Sequence, residues 1–149
     1  MKRLFSVGVI VDYNLSLDEM IKACKLDYVN SDVNTRNFLI AGKGECKLTI
    51  VIFSFPEFTS SDVIVAEMNN AGFRPAKIEE LLAFGAGLFR SESESESLVA
   101  LGSRSDGRPR NKTRDDVLFL WRANSQSGLG CKWYYGSWNS EYTFAAVSK

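Results

Sequence analysis

The sequence predicts an α+β fold, a single domain of mostly antiparallel sheet with three helices packed against it. Three observations lead there. Strand-like and helix-like stretches are grouped along the chain instead of alternating one by one, as a parallel βαβ array would require. The 149 residues are 45% hydrophobic and 12% aromatic, enough for one core and too apolar for a disordered chain. Residues 60–85 spell a helix, a glycine stop, an extended Arg74-Pro75 step and a second helix, which sets the layout of the middle.

The elements follow in order. Phe5, Val7, Val9 and Val11 alternate with Ser6, Gly8 and Ile10, so the first strand is expected to be mostly buried. Ser16 and Glu19 have capping-box spacing, and Leu17, Met20, Ile21 and Cys24 fall on one face of the helix that follows. Residues 27–34 read as a turn-rich connection. A hairpin is expected next, from 37–41 through Gly42-Lys43-Gly44 into 45–55. Both faces of its second strand are apolar, which marks a central strand, and Pro56 ends it. Ser60 or Ser61 caps the next helix, whose inner stripe is Ile64, Met68 and Ala71, and Gly72 closes it. The last helix buries Ile78, Leu81 and Leu82, keeps Glu79 and Glu80 outside, and stops at Gly85 and Gly87. Residues 91–97 alternate Ser and Glu and read as a solvated loop, the one plausible hinge in the chain. Leu98–Leu101 resumes as a strand, 103–116 reads as a long exposed basic loop, and 117–121, 131–135 and 142–147 close the chain as short strands.

Composition narrows the function. Eighteen basic and eighteen acidic residues cancel, which argues against a polyanion binder acting through overall charge. Cys24, Cys46 and Cys131 are odd in number and far apart, which favours reduced thiols and a cytoplasmic location over a secreted disulfide framework. The basic start, Lys2-Arg3, precedes an apolar run broken at Ser6 and Gly8, which fits a strand better than a signal peptide. No apolar run reaches the roughly 18 residues a membrane helix needs. Histidine is absent, which removes the usual general base, the commonest metal ligand and every Ser-His or Cys-His arrangement. The expectation is a non-catalytic protein that needs no metal or other cofactor.

The carboxylates Asp27, Asp32, Glu79, Glu80, Asp115 and Asp116 are the material for the alternative, a carboxylate-based enzyme, but adjacent acids usually mark solvated turns. Arg104, Arg108, Arg110, Lys112 and Arg114 set five basic residues against Asp106 alone, and such a loop would suit nucleic-acid phosphates. The Ser-Glu tract just upstream offers it internal counter-charge. The favoured site lies in the last thirty or so residues. Trp133, Tyr134 and Tyr135 cannot all face inward on a strand, so at least one ring emerges. Trp138 in its turn and the nearby Tyr142 complete a candidate ligand-binding surface of Trp133, Tyr135, Trp138 and Tyr142, suited to a protein or a glycan.

Two resemblances accompany this reading. Ala66-Glu67-Met68, Ala71-Gly72-Phe73-Arg74-Pro75-Ala76 and Glu80-Leu81-Leu82-Ala83-Phe84-Gly85 resemble a segment of small uncharacterised bacterial proteins, some of candidate-phylum type. Val99-Ala100-Leu101-Gly102 and the closing Phe144–Lys149 are similar to further stretches of those proteins, which bring no assigned activity. More distantly, the helix, the Gly72-Phe73-Arg74-Pro75 step and the acidic second helix resemble C-type-lectin-like folds, including formylglycine-generating-enzyme-like domains. Trp138-Asn139-Ser140 is similar to the lectin Trp-Asn-Asp, with Ser140 in place of a calcium-ligating carboxylate. The resemblance therefore implies no calcium-dependent sugar binding.

Overall fold

The computed structural model describes residues 1–40, 42–87, 96–105 and 115–149. Strand β1 (Lys2–Asp12) runs into helix α1 (Leu17–Cys24), where the expected capping box is formed. Ser16 Oγ accepts the Glu19 N–H at 3.1 Å and the Glu19 carboxylate accepts the Ser16 N–H at 2.8 Å. A two-residue strand β2 (Tyr28–Val29) and the long β3 (Glu45–Ser54) follow. Helix α2 (Ser61–Asn70), capped by Ser60, gives way at Gly72 (φ +90°) to the short strand β4 (Phe73–Pro75) and helix α3 (Ile78–Gly87). The chain ends with β5 (Glu96–Ala100), β6 (Asp116–Ala123), β7 (Gln126–Trp133) and β8 (Tyr142–Ser148).

The eight strands form one sheet in the order β1-β3-β8-β5-β6-β7-β2, with β4 beside β8. Antiparallel contacts join β1 to β3, β3 to β8, β4 to β8, β5 to β6 and β6 to β7. Parallel pairs join β5 to β8 and β2 to β7. The first and last strands thus both flank β3, and the α+β class is as expected. The pleat of β3 divides the core in two. Ile50 and Ile52 join α1 and α3 on one side, while Val51 and Phe53 join α2 and the aromatic residues after β7 on the other. The helices therefore cover both faces. No helix among the described residues is long and apolar enough to cross a membrane.

Several expectations are corrected. β1 is an edge strand with Leu4, Phe5 and Ile10 exposed, and its Val7 and Val9 are only partly buried against the core that holds α3. Residues 37–40 form no hairpin strand. Asn34 folds them into a turn by accepting the N–H groups of Arg36 and Asn37 on its side chain, so the partner of β3 comes from β1 instead. Gly85 does not end α3 but sits within it, where a Cβ would lie 2.9 Å from Leu120 Cδ1 and 3.0 Å from Cys24 Sγ. β5 starts at Glu96, so the end of the Ser-Glu stretch is strand; residues 91–95 lie outside the described residues.

The strand expected from 131 begins earlier, at Gln126. Gln126-Ser127-Gly128-Leu129-Gly130 is the body of β7, paired with β6 through a turn at Asn124 and Ser125, both with positive φ (53° and 66°). Trp121 lies across Gly128, where an added Cβ would come within 2.4 Å of the indole. The glycine is a seat for a neighbouring ring and not a turn signal.

Candidate functional site

β7 ends at Trp133, two residues short of the expected strand 131–135, and Tyr134 and Tyr135 lie in the turn that follows it. Trp133 is 38% exposed and Tyr135 54% exposed, while Tyr134 between them is buried. Trp133 and Tyr135 meet edge to face with ring centroids 6.2 Å apart, and Tyr135 meets Tyr134 the same way at 4.9 Å. Arg104 joins them. Its guanidinium stands 4.1 Å from the Tyr134 ring centre, and Nη1 donates to Tyr135 Oη at 3.2 Å. Partial burial disfavours the Arg104 charge, but the Tyr135 hydrogen bond and nearby Tyr134 outweigh it and hold its pKa above the ordinary value.

The patch rests on the first turn of α2. Tyr134 donates its hydroxyl to Asp62 Oδ1 at 2.9 Å, and Ser61 Oγ donates to the Tyr134 carbonyl at 2.6 Å. Burial first, and the Asp62 hydrogen bond second, push the Tyr134 pKa up to about 12. Ser61 Oγ also accepts the Trp138 indole N–H at 2.7 Å. One serine at a helix start thus fixes both ends of the 134–138 segment.

Trp138 is not a surface ring: it is 1% exposed. Its indole packs edge to face on Tyr142 at 4.9 Å and on Phe144 at 5.4 Å, and Phe144 meets Phe55 at 5.6 Å. Burial is possible because Ser61 satisfies the indole N–H. That partner lies far back in the chain, so the local Gly-Ser-Trp-Asn sequence carries no sign of it. Tyr142 is half-buried, with burial and Glu141 raising its pKa, and Lys132 Nζ lies 5.6 Å from the Trp138 ring centre and 5.8 Å from that of Tyr142. Of the four expected site residues, Trp133 and Tyr135 are at the surface, Tyr142 is intermediate and Trp138 belongs to the core.

Phe58 has no signal in the sequence. It is 74% exposed and has φ 63°, a conformation that costs a bulky side chain. Its N–H donates to the Trp138 carbonyl at 2.8 Å, and Thr59 forms a bridge to the same residue. The strain is held by the backbone that carries the aromatic segment.

Within the basic loop, Arg104 is committed to Tyr134 and Tyr135, whereas Arg108, Arg110, Lys112 and Arg114 lie outside the described residues. The loop's first residues are not all exposed, since Ser105 is buried and exchanges bonds with Asp116, itself buried at the start of β6.

The carboxylates also depart from expectation. Glu79 and Glu80 are both buried, because α3 lies between the sheet and α1 and offers solvent little of its first turn. Glu80 accepts from Arg74 Nη1 at 2.9 Å, Arg74 Nη2 at 2.6 Å, the Lys77 N–H at 2.8 Å and the Tyr13 hydroxyl at 2.7 Å. Burial alone would raise its pKa; the Arg74, Lys77 and Tyr13 hydrogen bonds outweigh that and lower it. The Tyr13 phenol is pushed the other way, by burial and by the same Glu80 bond. Glu80 is therefore a fixed anion that ties β1, β4 and α3 together, the opposite of a general acid with a raised pKa. Asp27 accepts the Ser127 N–H at 2.8 Å, a bond that secures the approach to β2. Among the described residues no group of three or more His, Cys, Asp or Glu is placed to hold a metal ion. Searches against protein-family models, curated proteins and solved structures find no match to this chain.

Proposed function

We propose that this protein is a non-catalytic recognition module that binds a protein partner through Trp133, Tyr135 and Arg104, with Phe58 on the adjoining loop. The observation behind this reading is the pairing of two exposed rings with a guanidinium over a base fixed by Ser61 and Asp62. Trp, Tyr and Arg are the residues that most often dominate interface energy, and a rigid base lowers the entropy lost on binding. Arg104 gives its Nη1 donor to Tyr135 and its guanidinium face to Tyr134 inside the patch, which supports a role as an interface anchor. The turn at Trp138-Asn139-Ser140 that resembles the lectin motif has its ring buried and its Asn139 side chain accepting the Glu141 N–H at 2.8 Å. A glycan site would have to rest on Trp133 and Tyr135 alone.

The test is differential capture from a bacterial lysate. Wild-type protein is compared with Trp133→Ala/Tyr135→Ala and with a surface control, Lys22→Ala on α1. The expected result is a protein retained by wild type and control and lost in the double variant, with all three chains melting alike. Retention by all three refutes the reading. Retention of glycans without any protein transfers the site to the carbohydrate reading, and retention that collapses with salt and nuclease transfers it to nucleic acid.

A further inference from the structure

Given recognition by Trp133, Tyr135 and Arg104, on which this inference rests, we propose that the partner presents a side-chain carboxylate to Arg104 and the Tyr135 hydroxyl, from an Asp or Glu in an extended segment. Arg104 is exposed, and its Nη1 donates to Tyr135 Oη at 3.2 Å. The phenol oxygen spends a lone pair on the guanidinium, so its own proton turns elsewhere. Among the described residues that O–H meets no acceptor, and Arg104 Nε and Nη2 form no hydrogen bond or ion pair. Tyr134 meanwhile holds the guanidinium 4.1 Å from its ring centre. Donors of two side chains therefore stand together, fixed in place before any ligand arrives. Such a group calls for an anion, and the planar Nε–Nη2 edge of a guanidinium matches a carboxylate.

The surroundings select among anions. The Tyr134 N–H donates to the Asp115 carbonyl at 2.7 Å and the Gly136 N–H to the Trp133 carbonyl at 3.1 Å. The turn thus lacks the run of free N–H groups that captures a chain-terminal carboxylate. A phosphoryl group brings about two negative charges. It would meet Asp62, hydrogen-bonded to Tyr134, and Asp115, whose charge is felt at Arg104. A single carboxylate matches the single guanidinium.

Trp133 sets the second contact. Its exposed ring lies 6.2 Å, centre to centre, from that of Tyr135. In an extended chain, side chains two residues apart point the same way and are separated by about 6.8 Å. An acid held by Arg104 and Tyr135 therefore brings the residue two positions away over Trp133, where an apolar side chain packs best. The ligand pattern is an acid and an apolar residue with one residue between them.

A library of random peptides displayed on phage, selected in parallel on wild type and on Trp133→Ala/Tyr135→Ala, reads the pattern. The expected wild-type pool is enriched in Asp or Glu with an apolar residue two positions away, and the double variant enriches no such pattern. The most enriched peptide is then synthesised as selected, with its acid replaced by Gln, and with phosphoserine in that place, and each is titrated by fluorescence anisotropy. Replacing the acid by Gln should weaken binding to wild type by about tenfold. That difference should shrink on Arg104→Gln and on Tyr135→Phe, which keeps the ring and removes only the donor, and so serves if Arg104→Gln disturbs Tyr134. Enrichment without an acid, equal binding of the acid and Gln peptides, or tighter binding of the phosphoserine peptide overturns the carboxylate and leaves recognition by the rings standing. Pools that do not differ between wild type and the double variant overturn both.

Discussion

Replacing Glu80 with Gln removes the charge at the centre of the Tyr13-Arg74-Glu80 group while nearly preserving shape. The carboxylate accepts four hydrogen bonds, two of them from one guanidinium. A glutamine can accept on one atom only, and its amide would point a donor at a donor. Breaking a buried ion pair from one side costs about 3–5 kcal/mol. The Arg74 side chain is 33% exposed, so water screens part of its loss and the lower end applies. A destabilisation of about 3 kcal/mol, at about 2–4 °C for each kcal/mol in a chain of this size, lowers the Tm by about 6–12 °C. The pH dependence gives an independent check. The folded-state pKa of Glu80 is lowered, so its contribution is complete above the unfolded value, ordinarily 4.5, and is lost as pH falls through the folded value. Urea unfolding followed by tryptophan fluorescence should therefore show the full gap between wild type and variant at neutral pH, and a narrowing gap as the solution is acidified below that ordinary value. A gap under about 0.5 kcal/mol at neutral pH, or one that does not narrow on acidification, would mean that the Glu80 charge does not hold these elements together.

Further outcomes follow from other parts of the fold. Gly85→Ala should destabilise by about 1–3 kcal/mol in urea unfolding, because its methyl meets Leu120 and Cys24 at close range within α3. Trp138→Ala should cost about 3–5 kcal/mol and lower the Tm, whereas Trp133→Ala should change it little, which calorimetry of the two variants would separate. Phe58→Gly should leave stability unchanged or raise it by up to about 1 kcal/mol, since glycine accepts the positive φ that phenylalanine resists; a clear loss in thermal unfolding would show that the exposed ring is held by contacts of its own. Deleting residues 142–149 removes a strand that β3, β4 and β5 all pair with, so cooperative melting should disappear.

The periodic signals in the sequence are local, and so are the features they predict well. Ser16 and Glu19 cap α1, Ser60 caps α2, Gly72 turns the chain and the two apolar faces of β3 are both buried, each by contacts within a few residues or by a repeat along one strand. The misreadings share a different origin. Glu80 reads as a solvated acid because its partners Arg74 and Tyr13 meet it only through tertiary structure. Trp138 reads as a turn residue because the acceptor of its indole N–H, Ser61, belongs to α2. The strand expected at 131–135 starts too late because Gly128 carries no side chain to mark it as strand, and the ring that fills its place, Trp121, is on the neighbouring strand. For the candidate site, two of the three rings Trp133, Tyr134 and Tyr135 are exposed, but the turn after Trp133, not strand alternation, places Tyr134 and Tyr135, and the Arg104 contact depends on how the residues before β6 return beside β7. That contact has no local signature.

The division of labour between exposed and core rings meets its sharpest test when the captured protein partner is titrated against wild type and Trp133→Ala in a calorimeter, at low and high salt. The expected affinity is at least about tenfold weaker in Trp133→Ala, equivalent to about 1.4 kcal/mol, with little dependence on salt in the wild type. Equal affinities for the two chains, or wild-type binding that falls steeply with salt, would rule out recognition by the exposed rings.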